Sequence, residues 1–211
     1  REQLFKLVGL GQTVVTNQFI PIGRGGLIWL PDRPANLTTS AAGAELVVST
    51  AKLAAQKAGL KWRETNYLLL RRGPYVIASG LDESIAAKPR ELQGRFVNLF
   101  DAELRVLNHV SIVPGSRWFL LDLDAARTGK IHLLASACKA LLEKQTNDQI
   151  DFTVEGVGNT PAIMLLESPQ APRAVTLDGE TLTNFEYSAK EHLLWIHFAN
   201  DAAPHKLVVQ Y

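Results

Sequence analysis

Asp122 and Asp124 flank Leu123 in an apolar, strand-like stretch, and a strand there would turn both carboxylates to one face. Glycoside hydrolysis needs two carboxylates about 5 to 10 Å apart. Asp82 with Glu83 offers a second pair in a loop, and Asp101 with Glu103 a third. Same-face acids at a strand end more commonly face water or cap a turn. The pairing alone therefore assigns no catalytic residue.

Other catalytic constellations are weaker still. The histidines are His109, His132, His192, His197 and His205, with no His-x-His or His-x-x-x-His spacing. His192 and His197 stand five apart on an expected strand, which sends them to opposite faces. The single Cys138 cannot close an intrachain disulfide and reads as a small buried hydrophobe. Ser79 lacks the Gly-x-Ser-x-Gly elbow of an activated serine. Gly23-Arg-Gly-Gly26 opens a strand rather than a helix and has no following Gly-Lys-Ser/Thr, so it reads as a hairpin turn and not a phosphate loop. No metal site and no cofactor is expected.

The aromatic residues carry more weight. Exposed rings stack against the apolar C–H faces of pyranoses. Trp118 and Trp195 sit inside apolar strands, where burial is the default. Trp62, in Lys-Trp-Arg-Glu, reads as exposed. A carbohydrate-binding face would combine Trp62, Tyr67 and Tyr75 with Asp82 and Glu83.

Positioning these residues falls to a largely β chain. The sequence has 211 residues, 46% hydrophobic and 20% charged, with a formal charge of +1. That near-neutral balance is unlike a nucleic-acid footprint, and no apolar run is long enough to cross a bilayer. A start at Arg1 without an initiator Met reads as a processed or trimmed chain. The last third reads as a ladder: Asp151-Phe-Thr-Val, Ala162-Ile-Met-Leu-Leu, Ala174-Val-Thr-Leu, Leu193-Leu-Trp-Ile-His-Phe and Lys206-Leu-Val-Val-Gln-Tyr, separated by turns such as Asp178-Gly179.

Further strands are expected at Tyr67-Leu-Leu-Leu70 and Tyr75-Val-Ile-Ala-Ser79, joined by a turn, and at residues 92–100, 110–113 and 117–123. Thr13-Val-Val-Thr16 pairs with Phe19-Ile-Pro-Ile22, and Leu27-Ile-Trp-Leu30 follows. One helix stands out, capped within Thr38-Thr39-Ser40 and stopped at Gly59. Residues 131–142 read as a strand followed by a turn of helix. The expected fold is mainly β, an antiparallel β-sandwich or two packed β units, with one N-terminal α-helix. Residues 1–61 form a strand–helix segment and 62–211 the sandwich region, with a division near 145–150 left open.

Three segments look like the C-terminal part of large secreted bacterial proteins of glycoside-hydrolase type, related to β-galactosidases. They are Leu70-Arg-Arg-Gly-Pro-Tyr-Val-Ile-Ala-Ser-Gly-Leu-Asp-Glu-Ser84, Leu92-Gln-Gly-Arg-Phe-Val-Asn-Leu-Phe-Asp101 and Pro114-Gly-Ser-Arg-Trp-Phe-Leu-Leu-Asp-Leu123. The ending, from Val175-Thr-Leu-Asp-Gly-Glu180 to Asn200, is similar to their closing sandwich. The opening resembles the tail of an amidotransferase-like domain. None of that family's catalytic carboxylates maps onto this chain, which lacks the alternating strands and helices of a barrel. The resemblance implies a secreted or periplasmic accessory sandwich that supports or orients a partner domain through an apolar face. A carbohydrate-binding module is the alternative, and a small glycoside hydrolase using Asp122, Asp124 or the Asp82–Glu83 loop with a histidine is a third.

Overall fold

The computed structural model describes residues 2–10, 16–81 and 88–211, and the chain divides into two compact units, Arg1–Glu64 and Thr65–Tyr211. The first unit holds α1 (Glu2–Leu7), the hairpin β1 (Phe19–Ile22) and β2 (Gly25–Ile28), then α2 (Pro34–Thr38) and α3 (Ala41–Lys57). The hairpin turn falls at residues 23–24, since Ile22 pairs with Gly25. The expected partner strand at 13–16 lies almost wholly outside the described residues. Ser40 caps α3 as its sequence suggested, its Oγ accepting from the Gly43 N–H at 3.0 Å. Phe5 and Trp29 meet edge to face at 5.3 Å.

The second unit opens with β3 (Tyr67–Arg72), β4 (Tyr75–Gly80), β5 (Arg90–Asn98), β6 (Val106–Ile112) and β7 (Arg117–Asp122). These five form one antiparallel sheet in the order β3-β4-β7-β5-β6. A short helix, α4 (Leu123–Ala126), leads to β8 (His132–Ser136) and β9 (Lys139–Gln145). The remaining strands are β10 (Gln149–Glu155), β11 (Pro161–Glu167), β12 (Ala174–Leu177), β13 (Glu180–Thr181), β14 (Phe185–Ser188), β15 (Leu193–Ala199) and β16 (His205–Gln210). They build a second sheet, β14-β15-β11-β8, and a third, β13-β12-β16-β10-β9.

The second sheet is the middle layer, and alternation explains why. Along β11, Met164 and Leu166 enter the core shared with Ile150, Phe152, Leu207 and Val209 of the third sheet. Ile163 and Leu165 point the other way, into a core shared with Val97 and Leu121 of the first sheet. A strand covered on both faces reads as a continuous apolar run, which is the character of Ala162-Ile-Met-Leu-Leu. The far face of the first sheet buries Val76, Phe96, Val110 and Leu120, with a register shift between Gln93 and Phe96 bending β5.

Two expectations are corrected. Residues 131–142 hold no helical turn; they form β8 and the start of β9, which belong to different sheets. The alanine-rich middle is where the chain crosses between the second and third sheets. Asp122 and Asp124 do not share a strand face either. Asp122 ends β7 and caps α4, accepting from the N–H groups of Asp124 and Ala125, while Asp124 lies within that helix.

Candidate functional site: an aromatic cleft and its apolar face

Strand alternation and register gather one set of apolar side chains on the first sheet. Leu70 pairs with Ile77, and Ile77 with Phe119, so all three share a face. Leu68 and Tyr75 join them two residues along their strands, and Leu121 is the next on β7. Leu121 is buried beneath the second sheet. Toward β3 the same face is open: Leu68 is 65% exposed, Leu70 and Ile77 48%, and Tyr75 40%.

Phe100, just after β5 and 70% exposed, stands over this strip. Its ring centroid lies 6.0 Å from Phe119, which lies 5.8 Å from Tyr75. Tyr75, Phe100, Phe119, Leu104, Ser136 and Ile163 line a cleft of about 560 Å³ at the junction of the first and second sheets. An apolar hollow of about 350 Å³ adjoins it, sharing Phe100 and Phe119 and adding Ile77 and Trp118.

The loop at 99–105 separates this cleft from a polar one. On the far flank, Glu103, Arg105, Glu186, Glu191, Trp195 and His197 line a cleft of about 550 Å³. The Arg105 guanidinium and the N–H groups of Glu103 and Arg105 hold the Asp101 carboxyl below its ordinary range, although burial pushes it up. Asp101 is thereby a loop anchor, occupied at both oxygens. Glu191 is taken up by Arg95, whose Nη1 lies 3.0 Å away. Arg95 also pairs with Asp124 through its Nε at 3.1 Å, and Asp122 pairs with Arg71 at 2.7 Å.

The candidate carbohydrate residues are placed as follows. Tyr75 lines the aromatic cleft. Tyr67 is opposite Gly80, on the other face of the hairpin and about 17 Å away along it at the usual strand rise. Trp62 belongs to the first unit, its Nε1 donating to Glu64 at 2.6 Å. Asp82 and Glu83 lie outside the described residues. The sheet thus brings Tyr75 together with Phe100 and Phe119, which sequence reasoning had not singled out. The one signal for Phe119 was the alternation of β7, and for Phe100 its place just after β5; both become informative only with the register known.

His109, His132 and His205 each face a carboxylate. His132 Nδ1 lies 3.1 Å from Glu167, which also accepts from the N–H groups of Thr128 and Gly129. His109 meets Glu91, and His205 meets Asp178 at 2.5 Å. His192 sits in the turn before β15 with φ 54°, not on the strand itself. Burial pushes the Cys138 thiol up, away from nucleophilic use. Among the described residues no group of three or more His, Cys, Asp or Glu could hold a metal ion, and no helix is long and apolar enough to cross a membrane.

No family model matches the chain, and no curated protein does. Among solved structures it is similar to a GH31 dextranase of Flavobacterium johnsoniae complexed with isomaltotriose, at 10% identity and a TM-score of 0.34, covering 80% of this chain and 31% of that one. The same dextranase complexed with glucose gives 10% identity and a TM-score of 0.33, with coverages of 65% and 26%. An uncharacterized protein of Listeria monocytogenes in complex with glucose, magnesium and calcium gives 11% identity and a TM-score of 0.24, with coverages of 64% and 18%. The chain spans less than a third of each of these proteins. TM-scores this low carry no argument about activity.

Proposed function

We propose that this chain is a non-catalytic accessory β-sandwich region of a secreted or periplasmic carbohydrate-active protein, and that it holds an adjoining folded domain through the face of Leu70, Tyr75, Ile77, Phe100 and Phe119. One observation carries this reading: a continuous apolar strip left open beside a core that buries the rest of the same sheet face. Contiguous apolar patches on soluble proteins mark interaction surfaces. Four of the carboxylates in and around the clefts support it, because Asp101, Asp122, Asp124 and Glu191 are engaged in ion pairs. The carbohydrate-active setting rests on the sequence resemblance of residues 70–84, 92–101 and 114–123.

The test is dye binding to the isolated chain. 8-Anilinonaphthalene-1-sulfonate should bind the folded protein, and Ile77→Lys with Phe100→Ser should abolish that signal without changing circular dichroism. A folded wild type that leaves the dye dark would overturn the reading.

A second reading is favoured by the trio of rings. Tyr75, Phe100 and Phe119 could stack a pyranose, with Ser136 at the rim of the cleft. Saturable quenching by one class of oligosaccharide, lost in Tyr75→Ala and Phe119→Ala, would put this reading first. Silence across a polysaccharide panel would remove it.

A further inference from the structure

Among the described residues six strands of the second unit stand at sheet edges, and five of them carry a feature that discourages further pairing. β13 has two residues, and β14 has four with Glu186 exposed among them. β9 carries Lys139, Glu143 and Lys144 and is bulged against β10. The pairings of β8 and β6 are bulged too, and β6 exposes Asn108 and His109. Short length, charge and bulges are the devices by which exposed edges avoid recruiting another strand.

β3 is the exception. Its six residues pair with β4 in unbroken register from Tyr67 with Gly80 to Arg72 with Tyr75. Charge enters only at its last two positions. Leu68 and Leu70 face one way and Leu69, 41% exposed, faces the other, so the strand is apolar on both faces as a central strand is. Its outer side has no strand partner among the described residues.

We propose that β3 is a self-association edge, through which two copies of this chain pair antiparallel about a two-fold axis at Leu69. The strand is complementary to itself in that register. Leu69 meets Leu69 of the second copy, Leu68 meets Leu70, and Tyr67 meets Arg71. Antiparallel neighbours in direct opposition gain from apolar pairs and lose from like charges. Here the arginines are kept out of opposition to each other. The Arg71 guanidinium is drawn inward to Asp122, two strands from the edge. A two-fold interface of this kind is closed, so it yields a dimer rather than a filament. The edge shares Leu70 with the domain-holding strip, but Leu69 points to the opposite face, so a change at Leu69 tests the dimer and leaves the strip in place.

Sedimentation equilibrium of the full chain, from micromolar to millimolar concentration, tests it. The wild type should dimerise, Leu69→Lys should be monomeric throughout, and Leu141→Lys on the β9 edge should leave the dimer intact. Hydrogen exchange on the wild type needs no variant: amides of 67–72 should gain protection as concentration rises. A monomer at every concentration, a dimer that survives Leu69→Lys, or a dimer without added protection at 67–72 would each overturn the proposal.

Discussion

The indole Nε1 of Trp195 donates to the carbonyl of Leu104 at 3.1 Å, across 91 residues of sequence. Leu104 is buried and holds a left-handed backbone, φ 47°, at the tip of the loop between the two clefts. The hydrogen bond fixes that tip against the second sheet. Trp195→Phe keeps most of the packing but leaves the carbonyl without its donor, and should cost about 1–3 kcal/mol. Urea unfolding should show a lower midpoint with an unchanged slope.

Gly80 ends β4 directly beneath the turn that joins β6 to β7. Its N–H donates to the Ser116 carbonyl at 2.9 Å and its own carbonyl accepts from Gly115 at 3.2 Å. A Cβ built on Gly80 would overlap the Val113 carbonyl. Backbone cannot step aside as a flexible side chain can. Gly80→Ala should therefore destabilise by about 1–3 kcal/mol or more, read as a fall in melting temperature, with Gly158→Ala as a comparison where no atom lies within reach and the backbone is not left-handed.

Asp178 and His205 couple stability to pH. The His205 ring, with the Lys206 N–H, holds the Asp178 carboxyl below its ordinary 3.8, so this contribution is present above that value and lost as pH falls through the lowered one. Asp178 in turn raises His205 above its ordinary 6.5, so that contribution is full below 6.5 and lost as pH rises through the raised value. The melting-temperature gap between wild type and Asp178→Asn should be widest between about pH 4 and 6.5 and narrow on both sides. A gap independent of pH would refute the coupling.

Arg95 ties the first sheet to the second. It reaches Glu191 before β15 and Asp124 in α4, while Arg127 Nη2 donates to the Glu191 carbonyl at 2.7 Å. Glu191 is mostly buried, so losing its partner leaves a poorly hydrated carboxylate. Arg95→Ala should cost about 1–3 kcal/mol. Arg95→Lys should recover only part of that, since an ammonium cannot fork to two carboxylates. Chemical denaturation of the three proteins gives the comparison.

Much of the β-ladder was legible because its signals are local. Ala174–Leu177 and the Asp178-Gly179 turn appear where expected, the turn residues at φ 51° and 86° as a tight hairpin between twisted strands requires. The α3 cap at Ser40 was legible for the same reason. β14 escaped notice, since four residues with one exposed acid make too short an alternation to register. The stretch at 131–142 misled because small apolar residues suit a helix and a tight crossing between sheets equally well.

What the sequence determined by itself was the mainly antiparallel β character, the single long helix and the positions of most strands. These depend on alternation, turn chemistry and caps within a few residues. Only the tertiary structure decided which faces are covered, which strand is left at an unguarded edge, and which acids are neutralised by arginines far along the chain. Those outcomes depend on register and layer order, set by packing between segments tens of residues apart. Tyr75 was visible as an aromatic residue on a strand; that Phe119 and Phe100 would join it over a cleft was written only in the pairing of β7 with β4 and β5.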